Sequence, residues 1–505
     1  MNVLPAPFLL PVDWWALGAV LALSAGAMLL LLLEFLPAKA GSSRAAVVAL
    51  VAFAASALAV TVHVERDARG ALFGGMFLHV NDFRRTLFGG MFVHDGFTVF
   101  FTLLFCAIGA TAVLLSWDYV KRTRINHAEY YALLLCATLG MVLMAAANDL
   151  ITVFLGLELM SLALYVLVGF RRNRLESNEA ALKYFLLGAF ASGFFLYGIA
   201  LLYGATGTTS LAKMAEFLSA SPLRPNALLL TGGLLLLVGF FFKMAAVPFH
   251  MWTPDAYEGA PTSVTAFMSV GAKAAAFAAL LRFGLRALGG FPAEWVPVLS
   301  AVAMLTMTVG NITALLQNNL KRMLAYSSIA HAGYVLVAVA AGGPDGASAA
   351  LFYLAVYSVM NLGAFGVLTI LGRGAQERVL MDDVRGLGFR RPLVGLALAV
   401  FMISLGGIPP TAGFMGKVTV FATALKAGLL PLVIVGVLNS VVSVYYYLRV
   451  TVAMYMQEPQ GEPTEISWAA PAAVAIVLAL ALTLWWGVQA GGLLAQAQRS
   501  VLGLL

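Results

Sequence analysis

The sequence predicts an all-α polytopic membrane protein with about fourteen transmembrane helices. Three observations predict this class: 62% of the residues are hydrophobic, only 10% are charged, and the mean hydropathy is +0.93. A soluble domain usually carries about 25% charged residues, and a helix needs roughly 20 apolar residues to cross a bilayer. Membrane β-barrels are excluded because their strands are about 10 residues long and alternate in polarity.

Fourteen apolar runs mark the predicted spans, and we treat residues 1–505 as one transmembrane domain. The fourth and fifth runs abut most closely, at Asn148-Asp149. The runs cover residues 14–36, 45–63, 95–117, 129–147, 149–170, 180–204, 227–247, 262–286, 294–316, 322–341, 348–372, 393–424, 428–455 and 467–488.

The loop charges predict an orientation. With the N-terminus outside, the inner loops hold sixteen lysines and arginines and the outer segments hold ten. Positive residues collect on the cytoplasmic side of a membrane. Both termini are therefore predicted to lie on the outer, periplasmic side, and the net charge of +7 is assigned to loops and not to a nucleic-acid partner.

Two spans contain helix breaks. Pro248 interrupts the seventh, and Pro409 and Pro410 interrupt the twelfth beside a glycine pair. Proline has no N–H, so each break frees carbonyls one turn earlier, among them that of Gly406. Broken segments in corresponding positions point to an inverted repeat. The seventh and twelfth spans are five spans apart, and because five is odd they cross the membrane in opposite directions. This predicts one repeat unit at 129–286 and an inverted second unit at 294–455. Unrelated proline kinks are the alternative.

A second repeat lies in the predicted outer loop at 64–94. The segment LFGGMFLH at 72–79 recurs as LFGGMFVH at 87–94. Two copies are too few for a solenoid, which needs three or more. We interpret them as a tandem duplication that enlarges the loop.

Four ionisable residues stand deep inside apolar stretches: Glu158, Lys243, Lys273 and Lys417. Such residues are costly in a bilayer and usually face a bundle interior or a wet path. Glu158 and Lys243 are predicted to form a switchable pair, in which the lysine takes or releases a proton as its partner approaches or retreats. A static ion pair between two helices is the alternative. Lys273 is predicted to connect the two halves rather than to reach an interface by extending its side chain, and Lys417 is predicted to serve the exit side.

Two histidines are candidate relays. His250 lies in the first break, and His331 lies in the tenth span among tyrosines and serines. A histidine with hydroxyl neighbours can pass protons, and hydrogen-bonded packing is the alternative for both. We expect no metal site and no cofactor site in this chain, because its two cysteines lack ligand spacing and no nucleotide-binding motif is present.

The strings NDLITVFLGLELMSLALYVLVGF, GFFFKMAAVPFHMWTPDAYEGAPTS, NNLKRMLAYSSIAHAGY and SLGGIPPTAGFMGK resemble the antiporter-like membrane subunits of proton-pumping NADH–quinone oxidoreductase, respiratory complex I. The resemblance runs from about residue 95 to 456 and is strongest to subunit N. It implies fourteen helices with two inverted five-helix repeats and two discontinuous helices. It also implies a Glu158–Lys243 pair, a connecting Lys273 and an exit-side Lys417, where subunit M would have glutamate.

The resemblance implies a proton-translocating subunit in a bacterial inner membrane, coupled to quinone reduction elsewhere. FMN, iron–sulfur clusters and quinone would then belong to other subunits, and the expected neighbours are subunit M, the small subunit K and lipids. A subunit of a multi-subunit cation/proton antiporter is the alternative. A scaffold whose charges only hold helices together is a third interpretation.

Overall fold

The computed structural model describes residues 14, 16–34, 41–68, 84–220, 227–288, 295–373, 376–459, 466 and 469–504. Ten helices precede residue 283 in this part of the chain. They are α1 (Gly18–Leu33), α2 (Gly41–Ala68), α3 (Gly96–Arg122), α4 (Ala128–Ala146), α5 (Leu150–Val168), α6 (Leu175–Thr206), α7 (Leu211–Ala220), α8 (Ala227–Met244), α9 (Trp252–Gly259) and α10 (Thr262–Arg282).

Nine further helices follow in the described residues. They are α11 (Trp295–Leu315), α12 (Leu320–Ala341), α13 (Gly343–Ile370), α14 (Leu387–Arg390), α15 (Pro392–Gly406), α16 (Ala412–Lys426), α17 (Leu430–Met456), α18 (Ala470–Val488) and α19 (Gly491–Leu502). Two short antiparallel hairpins complete the fold, β1 (Arg84–Leu87) with β2 (Phe92–Asp95), and β3 (Gly372–Arg373) with β4 (Gln376–Glu377).

The chain is a helical membrane protein. Within the described ranges, twelve helices are long and apolar enough to cross a bilayer. The first predicted span coincides instead with the shorter apolar helix α1, and the twelfth covers the shorter apolar helix α15 together with α16. The close boundary between spans four and five is a true helix end, because the Asp149 carboxylate accepts a hydrogen bond from the Ile151 amide and caps α5.

Both predicted breaks are present. The chain leaves helical geometry after Met244 and resumes it at Trp252, so that α8 and α9 flank Pro248. It leaves helical geometry again between Gly406 and Ala412, where Pro409 and Pro410 separate α15 from α16. Interruptions at this depth are tolerated where protein surrounds the backbone.

The second copy of the duplicated segment forms the β1–β2 hairpin and not an irregular loop. Phe88, Gly89 and Gly90 at its tip all have positive φ. The Asn148 side chain donates to the Gly90 carbonyl at 2.8 Å, and the Asn148 amide donates to the Met91 carbonyl at 2.8 Å, which fastens the tip to the end of α4. The first copy, at 72–79, lies outside the described residues.

The core of the bundle is built on α10, α12 and α13. α10 is buried along its whole length, and α12 and α13 are nearly so, whereas α6 and α18 expose most of theirs. Small side chains let neighbouring helices approach α10 closely. Lys273 lies in the middle of α10, so the architecture places this lysine at the centre of the molecule.

Candidate functional site

Lys243 ends α8 and is almost completely enclosed, with 2% of its surface exposed. Its Nζ donates a hydrogen bond to the Tyr165 hydroxyl at 3.2 Å. The same Nζ lies 5.1 Å and 5.3 Å from the ring centroids of Tyr165 and Tyr184, the distance range of cation–π contacts. Aromatic rings of α5 and α6 therefore hold this amine.

Glu158 does not touch Lys243 directly. Its carboxylate accepts a hydrogen bond from Ser192 of α6, and it acts on Lys243 only through the electric field across a longer gap. Tyr165 is the residue that both groups share, because it bonds Lys243 and also lies within the field of Glu158. A fixed ion pair between α5 and α8 is thus absent in this structure.

Our sequence interpretation missed Tyr165, although a signal for it was present. Tyr165 follows Glu158 by seven residues, with Ser161 between them. Residues that are three, four and seven apart share a face of a helix. A hydroxyl seven positions after a membrane-embedded acid is therefore expected beside it.

Lys273 is the second buried amine. It is 2% exposed, and its Nζ donates to the Ser328 carbonyl at 2.6 Å and to the Ser328 hydroxyl at 2.7 Å. The Tyr257 ring centroid lies 6.0 Å from the same Nζ. These partners come from α9 and α12, so Lys273 bridges elements of the two predicted repeat units.

His331 lies one turn beyond Ser327 and Ser328 on α12. Its Nδ1 is 2.8 Å from the Tyr353 hydroxyl and its Nε2 is 3.1 Å from the Tyr447 hydroxyl. Tyr447 also shares a short hydrogen bond with Ser327. The imidazole lies within the fields of both Lys273 and Lys417, so the structure brings this histidine near both lysines.

Lys417 is the third buried amine and lies in α16. Its Nζ donates to the Gly406 carbonyl at 2.8 Å, a carbonyl that the second break was predicted to free. It also donates to the hydroxyls of Ser440 at 2.9 Å and Ser443 at 3.4 Å. The amine satisfies the backbone that the prolines leave open, and the Tyr334 ring centroid lies 5.0 Å from it.

His250 is placed differently from His331. It lies half-buried in the turn between α8 and α9, and its Nδ1 is enclosed without a hydrogen-bond partner among the described residues. The neighbouring backbone is held from outside the turn, because Val247 N–H donates to Thr306 at 3.0 Å and the Trp252 indole donates to the Phe242 carbonyl at 2.9 Å. A relay role for His250 stays a prediction.

Two buried charge clusters were not predicted. Arg282 was counted among the outer loop charges, but it lies inside α10 and forms a bidentate pair with Asp95 at 2.7 and 2.9 Å. Both side chains are enclosed, and Asp95 also caps α3 through the Thr98 amide. Pairs of this kind depend on two helix ends meeting in space, which the spacing of the residues along the chain does not reveal.

The second cluster surrounds Glu377 of the β3–β4 hairpin, which is 6% exposed. Its carboxylate accepts hydrogen bonds from Tyr119, from the Thr262 amide at 3.3 Å and from the Thr262 hydroxyl at 2.8 Å. Lys321 lies 3.4 Å away and Arg171 3.5 Å away. Burial alone would raise the pKa of Glu377, but these cations and donors outweigh it and lower the pKa to about 2.

Metal and cofactor ligands do not cluster in the part of the chain that the structure describes. There, no group of three or more His, Cys, Asp or Glu side chains could hold a metal ion. The chemistry that the arrangement supports is proton exchange among amines, hydroxyls, an imidazole and a carboxylate.

Comparisons with known proteins show the family to which this chain is similar. Residues 147–443 match the family described as NADH:quinone oxidoreductase/Mrp antiporter, transmembrane. The chain is 53% identical over 407 residues to NADH-quinone oxidoreductase subunit N of Trichlorobacter lovleyi, covering 81% of this chain and 84% of that one. It is 50% identical over 408 residues to subunit N 1 of Sorangium cellulosum, covering 77% and 80%.

Solved structures share the fold. A chain of respiratory complex I from Thermus thermophilus with bound aureothin matches with a TM-score of 0.77 and 37% identity, over 94% of this chain and 98% of that one. A chain of the Mrp complex from a Dietzia species matches with a TM-score of 0.80 over 98% of both chains. At 24% identity, the second likeness concerns the fold alone.

Proposed function

We propose a proton path for this chain, which belongs to the NADH:quinone oxidoreductase/Mrp antiporter family and, within it, to subunit N, the antiporter-like membrane subunit of respiratory complex I. Protons would pass from the Glu158–Tyr165–Lys243 group to Lys273 and then to Lys417. The observation that carries the proposal is that three enclosed amines each have a hydroxyl partner, and that His331 lies within the fields of the last two.

The first step rests on the gap between Glu158 and Lys243. A small movement of α5 or α8 would change the separation of the two groups without breaking a packed ion pair. Because an opposite charge favours the ionised form of each partner, approach would load Lys243 with a proton and separation would release it. Signals from quinone reduction elsewhere in the complex would drive that movement.

The second step uses two sets of contacting side chains that meet at neighbouring serines of α12. Lys273 bonds Ser328, and the neighbouring Ser327 bonds Tyr447, which bonds His331. A neutral imidazole can accept a proton at one ring nitrogen and donate from the other. His331 would therefore relay protons towards Lys417, whose amine lies beside the second break.

We also propose fourteen crossings arranged as two inverted five-helix units, at 129–286 and 294–455. Breaks at α8–α9 and α15–α16 occupy corresponding places. In each unit the first two helices approach closely at a glycine. A Cβ added at Gly140 of α4 would lie 2.5 Å from the Met160 amide nitrogen of α5. A Cβ added at Gly310 of α11 would lie 2.7 Å from the Ala330 amide nitrogen of α12. Both termini would be periplasmic, with subunits M and K as neighbours.

The test is the Lys243→Met variant in the assembled, membrane-reconstituted complex. NADH-driven acidification of the vesicle lumen is expected to fall by at least tenfold, since no titratable group remains between the tyrosines of α5 and α6. Lys426→Met, which changes an exposed lysine at the end of α16, is the matched control and should pump normally. Normal pumping by Lys243→Met would remove this lysine from the path.

The rival interpretation, a subunit of a multi-subunit cation/proton antiporter, is separated from ours by purification. A tagged chain should copurify with flavin- and iron–sulfur-containing peripheral subunits if it works in complex I. Copurification with small membrane subunits alone would favour the antiporter. The 53% identity to a subunit N of NADH-quinone oxidoreductase supports the first outcome.

A further inference from the structure

A cavity of about 760 Å³ opens at the end of the bundle where α3 and α5 finish. Its wall consists of the turn between α3 and α4 and the turn between α5 and α6. Four arginines and one histidine line it against a single acid: Arg124, Arg171, Arg172, Arg174, His127 and Glu129. The proton path of the preceding section uses none of these side chains.

Two of the four arginines already have acidic partners. Arg171 and Arg174 lie 3.5 and 3.6 Å from the Glu377 carboxylate, which balances part of their charge. Arg124 and Arg172 are exposed, and their guanidinium groups form no hydrogen bond or ion pair with the described part of the chain. The cavity therefore presents two uncompensated guanidinium groups.

The backbone holds one of these two arginines in an unusual conformation. Arg124 has a φ of 58°, in the left-handed region that a residue with a Cβ seldom adopts. Hydrogen bonds on either side maintain the turn, from the Arg124 amide to the Lys121 carbonyl and from the Ile125 amide to the Val120 carbonyl. These two bonds form a Schellman motif, which closes α3 with a left-handed residue at this position, so the end of the helix fixes the backbone of Arg124.

Part of the cavity's lining is apolar. Val166 and Phe170 line it, and Val166 continues a stripe on α5 with Leu162 and Leu155. These three side chains are 54%, 53% and 57% exposed, and their spacing of four and seven residues puts them on one helix face. An apolar stripe on a membrane helix, ending beside unpaired guanidinium groups, is an amphipathic surface.

We propose that this cavity binds an anionic phospholipid, with its phosphate between Arg124 and Arg172 and its acyl chains along the α5 stripe. Guanidinium groups match phosphate oxygens in geometry and charge. Basic pockets at the cytoplasmic ends of membrane helices are suited to lipid headgroups. A free anion would use the arginines but leave the apolar stripe uncovered. The inference does not depend on the proton path.

The experiment compares the whole complex containing Arg124→Gln/Arg172→Gln with wild type and with Arg390→Gln/Arg391→Gln. The control pair changes two exposed arginines that do not line this cavity. After detergent delipidation, dioleoyl phosphatidylglycerol, dioleoyl phosphatidylcholine or inorganic phosphate is added, and bound lipid is quantified by mass spectrometry. Arg172→Gln alone is a milder second variant.

We expect wild type and the control pair to bind phosphatidylglycerol alike, and the cavity variant to bind it roughly tenfold more weakly, because each charged hydrogen bond to phosphate is strong. Arg172→Gln alone should bind with intermediate affinity. NADH-driven quinone reduction and proton pumping should be unchanged in all variants.

Three results would overturn the proposal. Equal phosphatidylglycerol binding by the cavity variant would show that the arginines are not the site. If the wild-type complex bound phosphatidylcholine as tightly as phosphatidylglycerol, the cavity would not distinguish lipids by headgroup charge. Displacement of phosphatidylglycerol by inorganic phosphate at similar concentration would identify a free-anion site. None of these results bears on Lys243, so failure here is distinct from failure of the proton path.

Discussion

At the scale of single residues, the Tyr165 hydroxyl is shared by an enclosed amine, Lys243, and a half-buried acid, Glu158. It accepts from Lys243 and lies in the field of Glu158. A direct contact would hold both charges in one state, since a close opposite charge stabilises each ionised form. In the proposed path, the phenol that both groups share would leave the proton free to move.

Removing that hydroxyl tests its role. In Tyr165→Phe we expect the rate of NADH-driven proton pumping to fall by roughly tenfold, the effect of losing one productive hydrogen bond at a transfer step. The measurement is the initial rate of lumen acidification in reconstituted vesicles. Tyr197→Phe, which alters an outward-facing tyrosine of α6, should pump like wild type. Equal rates for both variants would leave Tyr165 only a packing role.

At the scale of elements, the β3–β4 hairpin is fastened to three helices through Glu377. This carboxylate joins Tyr119 of α3, Thr262 at the start of α10 and Lys321 at the start of α12. The hairpin therefore ties α10, which carries Lys273, to α12, which carries His331. The breaks are supported differently, since the amine of Lys417 satisfies the Gly406 carbonyl.

The pKa of Glu377 predicts the pH dependence of this anchor. The pKa in the folded protein is about 2, below the ordinary value of 4.5. A lowered pKa means that ionised Glu377 stabilises the fold fully above about pH 4.5 and progressively less as the pH falls towards 2. We expect Glu377→Gln to weaken the anchor at neutral pH by an amount on the order of 3 kcal/mol.

Hydrogen exchange of the assembled complex measures that effect at the Thr262 amide. Protection there should fall in Glu377→Gln at pH 7 and should change little with acidification, whereas wild type should lose protection below about pH 4.5. Glu179→Gln is the control, because this exposed acid and Glu377 line one surface cavity beside the hairpin. Unchanged protection in Glu377→Gln would show that the hairpin is held by other contacts.

The second break depends on a close approach that only glycine permits. A Cβ added at Gly413 would lie 1.8 Å from the Ser404 carbonyl oxygen. Gly413→Ala should therefore force α16 away from α15, displace Lys417 and reduce pumping several-fold, with a loss of stability of roughly 1–3 kcal/mol. Thermal unfolding and vesicle acidification would both be measured.

Gly193→Ala is the matched control for that substitution. No atom lies within 4 Å of a Cβ built at Gly193 in α6, and alanine is the better helix former by about 1 kcal/mol. It should leave pumping unchanged and stability equal or higher. If Gly413→Ala and Gly193→Ala pumped protons equally well and were equally stable, the close approach of α15 and α16 would not be needed to position Lys417.

At the scale of the whole molecule, α10, α12 and α13 are the most buried helices, whereas α6 and α18 are largely exposed. Lys273 on α10 contacts Ser328 on α12. A route that begins at Glu158 and ends at Lys417 must cross this centre, so the two halves would act in series.

Serial action makes a prediction about combined variants. Glu158→Gln and Lys417→Met should each lower the number of protons pumped per NADH by the same amount, and the double variant should lower it no further, because groups in one path act as a unit. Proton-to-NADH ratios in vesicles measure this. Additive losses in the double variant would mean that each half conducts on its own.

Local features of the sequence were enough to locate the apolar helices and the two helix breaks. Apolar run length and proline chemistry are local properties, so the predicted spans coincide with helices and the breaks fall at Pro248 and at Pro409-Pro410. The burial of Lys243, Lys273 and Lys417 followed from the same local pattern.

What those charges contact depends on how the helices pack. Three contacts join residues from separate parts of the fold: the Tyr165–Lys243 hydrogen bond in place of a direct Glu158–Lys243 contact, the buried Arg282–Asp95 pair, and the anchor at Glu377. Such contacts depend on the rotation and crossing of packed helices. A uniformly apolar helix does not specify which of its faces turns inward, and packing against its neighbours settles that choice.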